Sequence, residues 1–272
     1  MVIHSDMINN ESFCQYYNTR TCKGDTKRIM AEWLGLTLIF FMAGITQGVT
    51  GFGAGLVAMP LLAFYLDIRV AVPLCMLNGL LITGFLSLQL KNHVDWRKIM
   101  PLLVGCLPGV VLGIGLLKKT DEALLSLLLG LLLVVYGGFR LLFTVHPRGV
   151  HLGWAYVAGF ATGAISGAFS AGGPPTIIYT TLTGWNKDEI KATLSSFFFI
   201  SGVLTAIGHG ASGLTTVTVL RFFAATAPAV LIGVAIGAFC SRRFSTEGYI
   251  KLILVCLVLL GLLMVGRFFL PL

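Results

Sequence analysis

Long apolar stretches separated by short polar connections run through the chain from about residue 32 to its end. Most reach the roughly 20 residues that a helix needs to cross the hydrocarbon core of a bilayer. Residues 1–31 are polar instead and predict an N-terminal tail. The pattern therefore predicts an all-α polytopic membrane protein of about eight hydrophobic segments. These segments run at about 33–65, 70–90, 99–117, 123–143, 152–183, 192–208, 220–240 and 249–268.

Composition supports a membrane location. Hydrophobic residues make up 56% of the chain and charged residues 11%, whereas a soluble domain has about 25% charged residues. The net charge is +8, but the basic residues are scattered between apolar segments, where they orient helices in the membrane. We therefore expect the lipid bilayer, and no nucleic acid, as a partner. Cys14 and Cys22 in the tail could form a disulfide if the tail faces an oxidising compartment.

The segments repeat after about 120 residues. The stretch GITQGVTGFGAG at 44–55 has its counterpart in GAISGAFSAGGP at 163–174. A shift of 119 residues pairs Gly44 with Gly163, Gly48 with Gly167 and Gly53 with Gly172. A duplicated half of this length is typical of transporters. We divide the chain into a tail (1–31), a first transmembrane repeat (32–145), a linker (146–151) and a second transmembrane repeat (152–272).

Each glycine-rich stretch lies inside a segment where a helix would otherwise be continuous. Glycine costs about 1 kcal/mol and proline about 3 kcal/mol in a helix interior, so we predict a broken helix at 48–55 and another at 166–175. Bare backbone groups in lipid are tolerated only beside protein or a water-filled cavity, and paired breaks indicate a transporter's binding site. Glycines can also serve helix packing, which we expect of Gly109, Gly113, Gly233 and Gly237.

A helix that begins after a break directs free N–H groups and its positive dipole end at the gap, where an anion can bind. Pro174 fits the first turn of such a helix. We predict that substrate contacts Gln47, Thr50, Gly51, Gly53, Gly55, Asn78, Ser166, Ser170, Gly172, Gly173, Pro174, Thr176 and Ser196. Asn78, Ser196 and Ser201, on neighbouring helices, could face the same cavity or equally hold helices together. We expect His209, near a segment end, to be a solvated loop residue.

Two topologies are consistent with the breaks. If each broken segment crosses the membrane once, the halves are parallel; if each is a re-entrant hairpin, the halves are inverted. Outside the tail, the hairpin topology places ten Lys and Arg residues on one side and five on the other, against seven and eight for the straight topology. Loop charge normally segregates, which favours inverted repeats. The four tail cations change the counts to ten against nine and eleven against eight.

The chemistry that the sequence lacks narrows its function. All eleven acidic residues lie in the tail or near segment ends, whereas proton relays and cation sites commonly use carboxylates within the membrane. A phosphate-binding Gly-x-x-x-x-Gly-Lys-Ser/Thr loop, a catalytic triad and a metal-binding Cys/His pattern are also absent. We therefore expect no enzyme activity, no metal and no cofactor.

The pair GITQGVTGFGAGLVAMP and GAISGAFSAGGPP, each opening one half of the chain, resembles the sulfite exporter TauE/SafE family. The resemblance covers about residues 33–270. The sequence differs from the family pattern at Ala54 and Ser170, where members often have glycine. It implies a multi-pass protein of the bacterial inner membrane that transports sulfite or organosulfonates such as sulfoacetate. The family's signatures fall on Gly44, Gly48, Gly51, Gly53, Gly55, Gly163, Gly167, Gly172, Gly173 and Pro174.

We therefore predict a secondary transporter, most simply an exporter, that holds a small sulfur-containing anion between the two breaks. One alternative is a passive anion channel in which the breaks line the pore. Another is a membrane assembly or sensor protein in which the glycines serve packing alone. A homodimer is left open.

Overall fold

The computed structural model describes residues 26–90, 94–143, 147–241 and 247–269, and within these ranges the only regular structure is helical. The predicted all-α fold is confirmed. The helices are α1 (Thr26–Thr50), α2 (Ala54–Leu62), α3 (Ile68–Gln89), α4 (Trp96–Lys119), α5 (Glu122–Leu142), α6 (Gly153–Phe169), α7 (Gly173–Leu182), α8 (Lys187–Ala211), α9 (Val217–Cys240) and α10 (Glu247–Phe269). Cys14 and Cys22 lie outside the described residues.

Seven helices of the described chain are long and apolar enough to cross a membrane, namely α1, α3, α4, α5, α8, α9 and α10. Their outer faces carry exposed aliphatic side chains such as Val111 and Leu142, which are 74% and 80% exposed and suit contact with lipid tails. The shorter helices α2, α6 and α7 belong to the two broken segments. With nine and ten residues, α2 and α7 have about half the length that a bilayer requires.

The first broken segment is interrupted at residues 51–53, between α1 and α2. Gly51 and Gly53 have φ angles of 84° and 96°, a left-handed conformation that costs other residues roughly 1–2 kcal/mol. The start of α2 then folds back beside the last turn of α1, where the Ala54 N–H donates to Gln47 Oε1 at 3.2 Å. The break predicted at 48–55 is therefore confirmed.

The second broken segment is interrupted at residues 170–172, between α6 and α7. Ser170 takes the left-handed conformation here, with φ 51°. Two prolines stand in the first turn of α7, where the fixed φ of proline suits a helix start and its missing N–H breaks no helical hydrogen bond. The break predicted at 166–175 is confirmed.

The helices α6 and α7 form a hairpin whose two ends lie together. The Leu182 carbonyl oxygen at the end of α7 accepts from the N–H groups of Arg148 and Gly149, just before α6, at 3.1 and 3.3 Å. Midway along the hairpin, the hydroxyls of Thr162 and Thr176 lie 2.6 Å apart. The segment therefore turns back at its break.

Glycines let helices of one half approach helices of the other. A Cβ built on Gly109 or Gly113 of α4 would overlap the backbone of α6, and one built on Gly233 or Gly237 of α9 would overlap the backbone of α1. The prediction that these four glycines serve packing is confirmed. Both pairs of helices run parallel, because the contacts advance in the same direction along both chains.

The main contacts have the symmetry of a duplicated chain. Each helix from α1 to α5 has its counterpart in order from α6 to α10, and the α4–α6 contact matches the α9–α1 contact with the halves exchanged. The remaining large contacts join counterparts, α3 with α8 and α5 with α10, and both pairs run antiparallel. Inverted repeats remain a prediction, which these directions support.

Candidate functional site

A cavity of about 80 Å³ lies where the two breaks meet, and α3 and α8 supply its other walls. About 10–15 Å³ of such space holds one water, so the cavity has room for several waters or one small oxyanion. None of the described residues that line it has a charged side chain. Seven predicted residues line it: Gln47, Gly53, Gly55, Ser166, Ser170, Gly172 and Gly173. The others are Leu56, Cys75, Met76, Gly79, Leu80, Thr83, Ala171, Phe198, Ser201 and Gly202.

The two breaks touch each other at Gly55. A Cβ built on this residue would overlap the carbonyl oxygen of Ser170. Within the second break, a Cβ on Gly172 would likewise overlap Ser166 Oγ. A side chain on Gly55 would push the two breaks apart, and one on Gly172 would push α7 away from α6, so the small size of both residues defines the cavity.

The first break supplies main-chain donors to the cavity. Of the N–H groups that open α2, that of Ala54 donates to Gln47 Oε1, and that of Val57 donates to the Gly53 carbonyl at 3.1 Å. The N–H groups of Gly55 and Leu56 come between these and have no acceptor within the helix, as at any helix start. Both residues line the cavity. The first break therefore offers two N–H groups and the positive end of α2.

The second break supplies its donors in a different arrangement. Pro174 and Pro175 occupy the first turn of α7, and proline has no N–H. Among the residues that open this helix, Gly173 both carries an N–H and lines the cavity. Ser166 and Ser170 add hydroxyl groups from the end of α6, although Ser170 Oγ donates to the Val72 carbonyl of α3 at 2.8 Å.

Six predicted residues do not line the cavity: Thr50, Gly51, Asn78, Pro174, Thr176 and Ser196. Three of them join helices instead. Asn78 Nδ2 donates to Thr226 Oγ1 of α9 at 3.1 Å, Ser196 Oγ lies 3.2 Å from Ser87 Oγ of α3, and Thr176 pairs with Thr162. Asn78 and Ser196 thus hold helices together, which was the alternative to substrate contact for neutral polar groups in membrane helices.

The other three shape the breaks. Thr50 Oγ1 donates to the Thr46 carbonyl at 2.7 Å and accepts from the Phe52 N–H at 3.2 Å. Gly51 lies under the side chain of Lys191, whose Cγ would be 3.3 Å from a Cβ built there. Pro174 is buried in the first turn of α7. Their predicted contact with substrate stays a prediction.

Thr83 was not predicted to line the cavity, and the predicted environment of His209 was wrong. Thr83 follows Met76 and Gly79 at helical spacing along one face of α3, and all three line the cavity, so periodicity along this helix was the available signal. His209 was expected in a solvated loop, but it is fully buried and its Nε2 lies 2.9 Å from the Gly167 carbonyl oxygen. The last turn of α8 packs against α6, which excludes water from this ring.

Comparison with known proteins agrees with this architecture. The family model described as sulfite exporter TauE/SafE matches residues 36–264. The chain is 29% identical over 228 residues to the probable sulfite/organosulfonate exporter TauE of Cupriavidus necator, with 79% of this chain and 85% of that protein covered. No solved structure matches the chain significantly.

A second kind of relative matches over a shorter stretch. The chain is 26% identical over 123 residues to the probable membrane transporter protein MamO of Paramagnetospirillum magneticum, with 44% of this chain and 19% of that protein covered. The MamO of Magnetospirillum gryphiswaldense is 27% identical over 123 residues, with 44% of this chain and 20% of that protein covered. All three relatives are thus described as exporters or membrane transporters.

Proposed function

Because the chain belongs to the sulfite exporter TauE/SafE family of membrane transporters, we propose that it exports small sulfur-containing anions such as sulfite or organosulfonates. It is a multi-pass protein of the bacterial inner membrane. The observation that carries the proposal is the uncharged cavity between two interrupted helices. Helix N-termini and neutral hydrogen-bond donors can bind an anion there. No buried positive side chain among the described lining residues holds the anion so tightly that its release becomes slow.

In this proposal the anion's oxygens accept hydrogen bonds from the N–H groups of Gly55 and Leu56. The Gly173 N–H and the Ser166 hydroxyl bind it from the second break. Gln47 Oε1 is occupied by the Ala54 N–H, which leaves the amide NH2 of Gln47 as a further donor. Each helix start contributes the equivalent of about half a positive charge, so the two together offset much of a monovalent anion's charge.

With inverted repeats, the proposal also includes the direction in which the anion crosses the membrane. In this proposal the cytoplasm is on the side where helix α4 begins and helix α5 ends, which has ten basic residues against five when the tail is left out. A membrane potential that is negative inside drives a monovalent anion outward at about 2.3 kcal/mol per 100 mV. Export then needs no coupling ion, and alternate exposure of the cavity follows from one bundle rocking against the other.

The test is transport of radiolabelled sulfite into proteoliposomes, with Gly79→Leu as the blocking variant. Gly79 lines the cavity, and a Cβ built on it meets nothing within 4 Å, so a leucine side chain fills the space where the anion would lie. Gly138→Leu is the matched control, because Gly138 also has open space but lies on α5 away from the cavity.

We expect saturable sulfite transport by the natural protein and by Gly138→Leu, and loss of transport in Gly79→Leu with an unchanged melting temperature. Equal transport by Gly79→Leu would contradict binding in this cavity. Transport proportional to concentration, with no saturation, would favour a channel. Exclusion of sulfite and several sulfonates would end the proposal.

A further inference from the structure

The cavity between the two breaks has two parts of different chemistry. The breaks supply the polar part, where the N–H groups of Gly55 and Leu56 open α2 beside the cavity. Helices α3 and α8 supply the rest, which we call the α3/α8 wall. Its apolar members are Cys75, Met76, Leu80 and Phe198. A molecule in the cavity therefore meets hydrogen-bond donors at the breaks and apolar side chains at the α3/α8 wall.

The two hydroxyl groups of the α3/α8 wall are bonded within their own helices. Thr83 Oγ1 donates to the Gly79 carbonyl oxygen at 2.9 Å, and Ser201 Oγ donates to the Phe198 carbonyl oxygen at 3.4 Å. Such bonds within a helix use the hydrogen of each hydroxyl. Charged groups are absent from the part of this wall that the structure describes. The wall therefore offers apolar contact, and it offers neither a free hydroxyl hydrogen nor a charge that could pair with an occupant.

Gly79 leaves open space in this wall. It lies one turn after Met76 and one turn before Thr83, on the face of α3 that lines the cavity. A Cβ built on Gly79 meets nothing within 4 Å. In contrast, a Cβ built on Gly202 of α8 would lie 2.9 Å from Leu80 Cδ2, because the two helices are in contact there. The open space of the α3/α8 wall thus lies beside Gly79.

The cavity is larger than a sulfite ion requires. Its volume of about 80 Å³ holds roughly five to eight water-sized atoms at about 10–15 Å³ for each. Sulfite has four atoms other than hydrogen, so about one to four more atoms fit beside it. A methyl or ethyl group on the sulfur fits this remaining space, whereas a butyl group fills or exceeds it.

We propose that the cavity is selective for monovalent sulfonates with an uncharged alkyl tail of one or two carbons. The sulfonate group binds at the breaks, and the tail lies beside Gly79 against Met76 and Leu80. This inference rests on the proposed function, within which it identifies the preferred class of substrate. Sulfonates with a charged tail are excluded, because a buried ammonium or carboxylate would lose its hydration and find no partner on the α3/α8 wall.

The experiment measures the Kd of detergent-solubilised protein for sulfonates that differ only in the tail, by isothermal titration calorimetry. We expect ethanesulfonate to bind about fourfold more tightly than methanesulfonate, which is the gain for burying one more CH2 group. The tail of 2-aminoethanesulfonate ends in an ammonium, and that of sulfoacetate ends in a carboxylate. Each of these two should bind at least about a hundredfold more weakly than ethanesulfonate, because its charge is left unpaired in the cavity.

Two variants of α3 change the space for the tail in opposite directions. Gly79→Ala adds a methyl group to that space, so the Kd for ethanesulfonate should rise about tenfold more than the Kd for sulfite. Leu80→Ala enlarges the space, so butanesulfonate should gain about tenfold in affinity relative to ethanesulfonate. Gly138→Ala on α5 and Leu77→Ala on α3 are the matched controls, because neither residue lines the cavity. Both controls should keep the ratios of the natural protein.

Two results would overturn this selectivity. If 2-aminoethanesulfonate or sulfoacetate binds as tightly as ethanesulfonate, the tail does not lie in an uncharged space. If Gly79→Ala changes the Kd for ethanesulfonate and for sulfite by the same factor, the tail does not lie beside Gly79. Sulfite transport by the natural protein and by Gly79→Leu decides the proposed function, whereas the order of the tails is measured as binding without transport. The two failures are therefore distinguishable.

Discussion

The two breaks follow similar paths but are held in different ways. The second break is fixed to its surroundings, because Ser170 Oγ donates to Val72 of α3 and Thr176 pairs with Thr162 inside the hairpin. At the first break, the residue that corresponds to Ser170 is Gly51, and the carbon chain of Lys191 covers it. The hydrogen bonds of the first break stay within its own segment, where the N–H groups of Gly51 and Ala54 donate to Gln47 at 2.7 and 3.2 Å.

The breaks also differ in what they offer an anion. At the first break the N–H groups of Gly55 and Leu56 open α2 beside the cavity, whereas at the second break two prolines occupy the first turn of α7. The first break, whose hydrogen bonds lie within its own segment, therefore presents the start of a helix to the cavity without a proline in its first turn. Because only the second break is bonded to α3 through Ser170, we expect it to be the fixed wall of the cavity and the first break to be the part that moves with the substrate.

The largest expected effect comes from Gly55→Ala, which forces the two breaks apart. The added methyl group would overlap the Ser170 carbonyl oxygen, so we expect a loss of about 1–3 kcal/mol in stability and loss of sulfite transport. Thermal unfolding in detergent and proteoliposome flux measure the two effects. Gly79→Ala, which adds the same group to open space in the same cavity, should fold normally. An unaltered melting temperature and flux in Gly55→Ala would show that the breaks do not touch.

The next effect concerns the donors of the first break. Gln47→Glu keeps an oxygen for the Ala54 N–H but replaces the amide NH2 and adds a negative charge to the cavity. Two like charges about 4 Å apart repel by about 4 kcal/mol at an effective dielectric constant of 20. We therefore expect the Kd for sulfite, measured by isothermal titration calorimetry, to rise at least about a hundredfold.

Gln89→Glu is the matched control, because Gln89 is exposed at the end of α3 and does not line the cavity. It should bind sulfite as the natural protein does. If Gln47→Glu also binds sulfite with unchanged Kd, the anion does not occupy the space beside the first break.

The smallest expected effects distinguish two residues in the left-handed conformation, Gly51 of the first break and Ser170 of the second. Gly51→Ala places a Cβ at φ 84° and should cost about 1–2 kcal/mol of stability. Ser170→Gly relieves the left-handed conformation of a serine but loses its hydrogen bond to Val72, worth about 1 kcal/mol, so its net change should be near zero. Thermal unfolding of both variants checks this. Equal losses in the two would mean that the breaks are restrained alike.

The sequence predicted the helix breaks well because their causes are local. Glycine and proline change the conformations that their own backbone can adopt. Pro174 and Pro175 therefore predict the start of α7 whatever the helix packs against. The faces of longer helices depend on distant partners. Asn78 and Gly79 are adjacent, yet Asn78 bonds to Thr226, 148 residues away, and Gly79 lines the cavity. Burial of His209 depends in the same way on the contact between α8 and α6.

The exchange of contacts between the halves has a consequence for biosynthesis. Helix α1 lies along α9 and helix α4 along α6, so the first interrupted segment emerges from the ribosome long before the helix that shields it has been translated. During that interval its unpaired peptide groups lack the protein surroundings that make them tolerable in lipid. The nascent chain must therefore wait beside the insertion machinery, or keep this segment near the headgroups, until the second half arrives.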